Sequence, residues 1–176
     1  MDERINISNL LRKLWEQHVM WTRSFVISAA HDLKDIEFVT KRLLEKPTDF
    51  AKVLRQFYGE DIALQFEELL KEHILIAADI VKAMKANDSK EMESLLEKWY
   101  YNADQIAKFL GEINPYWDEE EWRSMLSSHL VLLEKEIMNR ISGNYEEDVA
   151  IYDIIEDQAL EMADYMADGI IEQFQI

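Results

Sequence analysis

Three histidines occupy matched places in three similar strings, and this recurrence constrains the fold more than any other feature of the chain. Leu14-Trp15-Glu16-Gln17-His18, Leu69-Leu70-Lys71-Glu72-His73 and Met125-Leu126-Ser127-Ser128-His129 set them 55 and 56 residues apart. Ala51-Lys52-Val53-Leu54 returns 56 residues later as Ala107-Lys108-Phe109-Leu110, and Asp104-Gln105 returns 53 residues later as Asp157-Gln158. Apolar residues recur at spacings of three and four throughout, as in Leu11, Leu14, Trp15, His18, Trp21 and Phe25. That is the period of an amphipathic helix. The sequence therefore predicts an all-α, up-and-down bundle of about six helices, built from three repeated helical hairpins of about 55 residues. The register slips by nearly one turn in the last unit, so the repeat is approximate.

Composition narrows the function. A chain of 176 residues suits a single helical bundle domain, 1–176. Cysteine is absent, which excludes disulfides, zinc-thiolate and iron–sulfur centres and a thiol nucleophile. Four glycines and two prolines argue against turn-rich β folds and against a glycine-rich phosphate loop, so no nucleotide cofactor is expected. With 19 basic and 36 acidic residues the net charge is −17, which sets nucleic acid and anionic membranes aside as partners. The start, Met1-Asp2-Glu3-Arg4, is polar, and no apolar run nears the roughly 18 residues of a membrane span. The expectation is a cytoplasmic protein.

Caps and breakers divide the chain. Ser8 reads as the cap of a first helix that fades near Asp32. A second helix starts near Asp35, is broken at Pro47, and resumes as Asp49–Tyr58. Beyond Gly59 a third runs from about Asp61 to Ala86, and Asn87-Asp88-Ser89 reads as a turn and cap. A fourth runs from Lys90 to Gly111, stopped by Asn114-Pro115. Asp118 caps a fifth, to Ile141, and a sixth runs from Glu146 to Phe174 after Ser142-Gly143-Asn144.

In an up-and-down bundle the first, third and fifth helices run parallel, so His18, His73 and His129 are expected in one layer. His18 and His73 lie on apolar stripes, whereas Leu126 and Leu130 compete with His129 for the inward position. Neutral imidazole is a common ligand for zinc, iron and nickel. The layer is thus a candidate site for a divalent metal, with Gln158 or Glu161 of the last helix completing the shell and Asp79 and Glu134 behind it. The alternative is a set of core histidines hydrogen-bonded to neighbouring side chains. No Glu stands three before any of these histidines, so the Glu-x-x-His pattern of di-iron bundles is missing. Ser127 and Ser128 adjoin His129, but neighbours on a helix do not face one another, which disfavours a serine hydrolase. His31 suits the C-terminal end of the first helix.

Two further features bear on partners. From Ile141 onward there is no Lys or Arg, and Asp153, Asp157, Glu161, Asp164, Asp168 and Glu172 draw one acidic stripe. It reads as a solvated face, a docking face for a basic protein partner, or a surface packed against basic residues such as Lys41 and Arg42 or Lys52 and Arg55. A homodimer is also open. Five tryptophans and seven tyrosines suit core packing, and Trp99-Tyr100-Tyr101-Asn102 is placed to line a pocket at the histidine layer.

Leu14-Trp15-Glu16-Gln17-His18-Val19-Met20-Trp21-Thr22-Arg23, His73-Ile74-Leu75-Ile76-Ala77-Ala78-Asp79, Tyr101-Asn102-Ala103-Asp104 and Met162-Ala163-Asp164-Tyr165-Met166 resemble the recurring strings of an uncharacterised family of bacterial all-helical proteins. The resemblance spans nearly the whole chain. Members of that family carry labels such as acetylglutamate synthase or glycosyltransferase. An acetyl-CoA enzyme of the usual kind uses a glycine-rich loop on a sheet, which this sequence lacks. A broader architectural likeness is to haemerythrin-like and ferritin-like bundles. The last helix here offers Glu156, Asp157 and Gln158 where a fourth histidine would complete a redox metal site.

Overall fold

A computed structural model describes residues 3–176; the polar start at 1–2 lies outside them. Seven helices follow in order, and no strand occurs among the described residues: α1 Glu3–Ala30, α2 Ile36–Leu43, α3 Lys46–Tyr58, α4 Glu60–Lys85, α5 Ser89–Ile113, α6 Glu119–Ser142 and α7 Tyr145–Phe174. α2 and α3 together fill the place of one long helix. The chain turns out of helix before Pro47, and the proline then sits in the first turn of α3. An amide hydrogen has no helical partner there, so proline is tolerated and α3 starts three residues earlier than expected.

The caps mostly follow the sequence. Asp88 and Asp118 accept from the backbone N–H of Glu91 and Glu121, and Gly59 and Gly143 take positive φ at helix joins. Ser8 differs. It lies inside α1, where its hydroxyl donates back to Arg4 O at 2.9 Å, because α1 begins a full turn upstream.

Short joins make consecutive helices antiparallel neighbours. From α3 to α7 each helix packs on the next, and α7 returns to α1 to close the ring. α1, α4 and α6 also touch one another pairwise through the middle. These three carry the histidines. The large buried side chains Trp99, Trp117, Trp122, Phe50 and Phe66 fill the space between them and the outer helices.

One side of the ring is closed by buried charge. Arg23 of α1 donates to Glu136 of α6 at 2.5 Å and to Asp148 of α7 at 2.9 Å, and Arg140 also pairs with Asp148. The Arg23 guanidinium rests over the Tyr152 ring at 4.8 Å. Burial pushes the Glu136 carboxyl up to about 7, against the pull of Arg23.

The connection between α5 and α6 is pinned by Trp117, whose indole donates to Tyr165 O at 3.2 Å across α7. The ring lies so close that a Cβ on Gly169 would sit 1.9 Å from its Nε1. Glycine inside a helix ordinarily costs about 0.5–1 kcal/mol relative to alanine. Here the sign reverses: Gly169→Ala is expected to destabilise by roughly 1–3 kcal/mol, read as a lower urea midpoint with an unchanged slope. An equal or raised midpoint would show that Trp117 can move aside freely.

Candidate functional site

His18 of α1, His73 of α4 and His129 of α6 all point inward, and each is at most 4% exposed. The orientation of His129, open in the sequence, is settled because α6 is covered on several sides: Leu126, His129 and Leu130 are buried together. The three lie in one region of the interior. His18 and His129 have ring centroids 6.2 Å apart at 39°.

Two of the imidazoles are held by carboxamides in the same way. Asn102 of α5 donates through Nδ2 to Leu69 O at 3.1 Å, and its Oδ1 faces His73 Nδ1 at 2.8 Å. Gln158 of α7 donates through Nε2 to Met125 O at 2.7 Å, and its Oε1 faces His129 Nδ1 at 3.2 Å. Separations along the chain are identical: 29 residues from histidine to amide, and 33 from amide to carbonyl. The outcome fixes protonation. An amide whose nitrogen is committed to a carbonyl offers only its oxygen to the ring, so the ring must donate. His73 and His129 therefore carry Nδ1–H, and their Nε2 atoms keep a lone pair. Trp99 stacks on His73 at 5.3 Å and donates to its backbone carbonyl.

His18 departs from this arrangement. Twenty-nine residues beyond it stands Pro47, which has no amide side chain. Its neighbour Lys46 is fully buried instead, with Nζ bonded to Gln17 Oε1 at 2.8 Å and to Asp49 at 2.9 Å. His18 Nδ1 has no hydrogen-bond partner, nor has His129 Nε2. A cavity of about 10 Å³, roughly one water molecule, adjoins His18, Thr22, His73 and Trp99.

Burial keeps all three rings neutral. It pulls His73 and His129 down to about 4 and His18 well below its ordinary value, with mutual repulsion among the histidines adding to the effect at His18 and His73.

The expected metal shell can be compared with these positions. Among the described residues no three His, Asp or Glu side chains are placed to share a metal ion. Gln158 reaches the layer, but as the clamp on His129. Glu161 lies on the exposed side of α7. Asp79 is exposed and pairs with Lys82 at 2.8 Å, and Glu134 is half-buried beside a different pocket. Tyr101, expected near a pocket, is 66% exposed, whereas Trp99 and Asn102 do reach His73. Asn102 was missed as a partner; the shared offset of 29 from His73 and from His129 was the available signal.

No protein-family model, curated protein or solved structure matches the chain.

Two outcomes follow. A histidine kept neutral by the fold binds fewer protons folded than unfolded between about pH 4 and 6.5, so stability rises with pH through that window. Each imidazole contributes on the order of 1 kcal/mol per pH unit there. Glu136, raised to about 7, acts in the opposite direction between 4.5 and 7. Urea midpoints are expected to climb from pH 4.5 to 6.5, and to climb more steeply in Glu136→Gln; a flat profile in both proteins would refute the assignment. Asn102→Leu and Gln158→Leu, which each leave a buried ring N–H unpaired, are expected to lose about 1–3 kcal/mol. Unchanged midpoints in both would dismiss the clamps.

Proposed function

We propose that this chain is a non-catalytic interaction protein: a helical scaffold whose interior histidines are hydrogen-bond hubs and whose acidic last helix docks a basic partner. The matched amide clamps on His73 and His129 carry the reading. Each of these two histidines joins its own helix to the next one through a neutral Nδ1 contact, the arrangement of a structural core.

The outer face of α7 supports the second half. Asp153, Asp157, Glu161 and Asp168 are exposed. α7 packs mainly on α1 and α6 and meets α3 near its C-terminal end, where Phe174 lies against Phe57 and Tyr58 and Gln173 accepts from the Tyr58 hydroxyl; Arg12 meets Asp164 at 2.5 Å, while Arg42 and Arg55 pair with Asp49 and Glu60. Glu172, at the end of the stripe, pairs with Arg4 at 3.9 Å, and Asp153, Asp157, Glu161 and Asp168 are left facing solvent in a protein of net charge −17. Such a face attracts cationic partners over roughly a Debye length, so binding should weaken with salt.

A second reading keeps the divalent ion, zinc, iron or nickel, on His18, His73 and His129. Its support is the lone pairs that the clamps leave on His73 and His129. It requires the rings to draw together and Gln158 or Glu161 to turn toward them.

Elemental analysis and affinity capture separate the two. The scaffold reading expects substoichiometric zinc, iron and nickel in freshly purified, untagged protein. It also expects partner recovery at low salt that is lost in Asp153→Asn/Asp157→Asn/Glu161→Gln while thermal stability is kept. Stoichiometric metal that vanishes in His73→Ala would favour the ion, and equal recovery by the triple variant would dismiss the docking face.

A further inference from the structure

We propose that the small cavity between α1 and α4 is a binding site for one water molecule, which joins the rings of His18 and His73. The inference rests on the reading of the histidines as hydrogen-bond hubs and is independent of the docking face.

The repeat shows what α1 lacks. Asn102 ties His73 to α5 and Gln158 ties His129 to α7, but Pro47 stands where His18 would find its amide. Two ring nitrogens are sealed in without a protein partner, His18 Nδ1 and His129 Nε2. Native interiors leave few polar atoms unpaired, and ordered water is the usual remedy where a side chain does not reach. His18 and His73 both border the cavity, and His129 does not.

The polar groups around this space complement a water. Asn102 draws the Nδ1–H of His73 toward α5, so the ring's lone pair lies on Nε2, along its other edge. The Thr22 hydroxyl gives its proton to His18 O at 2.8 Å and keeps lone pairs of its own. Trp99 spends its N–H on His73 O and offers only an apolar face. A water brings two protons for such acceptors and lone pairs for a ring N–H, so it suits His18 in either tautomer. Internal waters ordinarily have about three partners, and His18, Thr22 and His73 supply that number.

Size and charge exclude other occupants. The cavity measures about 10 Å³, room for one water and nothing larger. Burial keeps both rings neutral, and no charged side chain among the described residues borders the space, so an ion would enter it uncompensated. The remaining wall is apolar, with Phe25 and Val26 on one side and Leu133 and Ile137 on another. It offers no competing partner and confines the water to the gap between the two rings. The result is a third link of the kind the amides make, joining α1 to α4 with a solvent molecule in place of a side chain.

The test uses the full chain with labelled histidine. Rotating-frame cross-relaxation is expected to connect water to ring protons of both His18 and His73, with His73 carrying its proton on Nδ1. Water ¹⁷O relaxation dispersion is expected to count one long-lived internal water fewer in Val26→Ile or Val81→Ile, each of which adds a methyl group at the cavity wall. The wild-type contacts decide the matter even if both variants fail to fold. Contacts to neither ring or to only one would overturn the water site, as would an unchanged count in both folded variants. Nδ1–H on His73 without water contacts would sink the water alone and leave the clamp standing, whereas a His73 proton on Nε2 would overturn the clamp and the site together.

Discussion

The interior depends on one repeated bond, a carboxamide that accepts an imidazole proton while donating to the carbonyl one turn before that imidazole. Leu69 O and Met125 O already belong to helical ladders, and the amide nitrogen takes their second lone pair. Each clamp therefore fixes three things together: the rotation of the ring, its tautomer, and the height at which the neighbouring helix lies. Ridges and grooves alone allow packed helices to slide by small amounts. A directional contact between α4 and α5, and another between α6 and α7, removes that freedom. The same contacts decide which nitrogen faces the middle, so the chemistry of the core is set by residues on the outer helices.

Charge is arranged in two zones. The surface is acidic, yet the buried cationic groups are concentrated where α1 meets its neighbours: Arg23 against Glu136 and Asp148, and Lys46 against Gln17 and Asp49. A buried pair of this kind contributes little net stability over apolar packing, but removing one member leaves an uncompensated charge in a dry setting. These contacts bind the first helix to elements far along the chain, Arg23 to Asp148 across 125 residues. They make closure of the ring specific in register.

Much of this was legible in the sequence. Period, breakers and the caps at Asp88 and Asp118 depend on local spacing, and the helices fall where those signals place them. Ser8 misled because a capping residue and a helix-interior serine look alike until the upstream turn is known. The histidines were found from their spacing, while Asn102 was passed over because an asparagine in an aromatic cluster carries no periodic signal of its own. Gln158 was placed at the layer for the wrong reason: its inward position was readable, its partner was not. Burial of Lys46 and Asp148 could not be read, since each depends in part on a partner remote in the chain, Gln17 for Lys46 and Arg23 for Asp148. Glu161 sat at the edge of an apolar face, and a rotation of a few tens of degrees about the α7 axis decides whether such a residue meets core or water.

The eight-residue α2 is braced mainly by α1, through Val39, Leu43, the Ser28–Asp35 hydrogen bond and Arg42 over the Trp21 ring. Helices this short do not persist unsupported. It is therefore the natural unit of subglobal opening, able to detach while the remaining ring stays intact. Leu43 walls the cavity beside His18, so each such excursion admits solvent to the imidazoles. Amide exchange along this one segment would then be a clock for how often the closed centre of the protein is wetted.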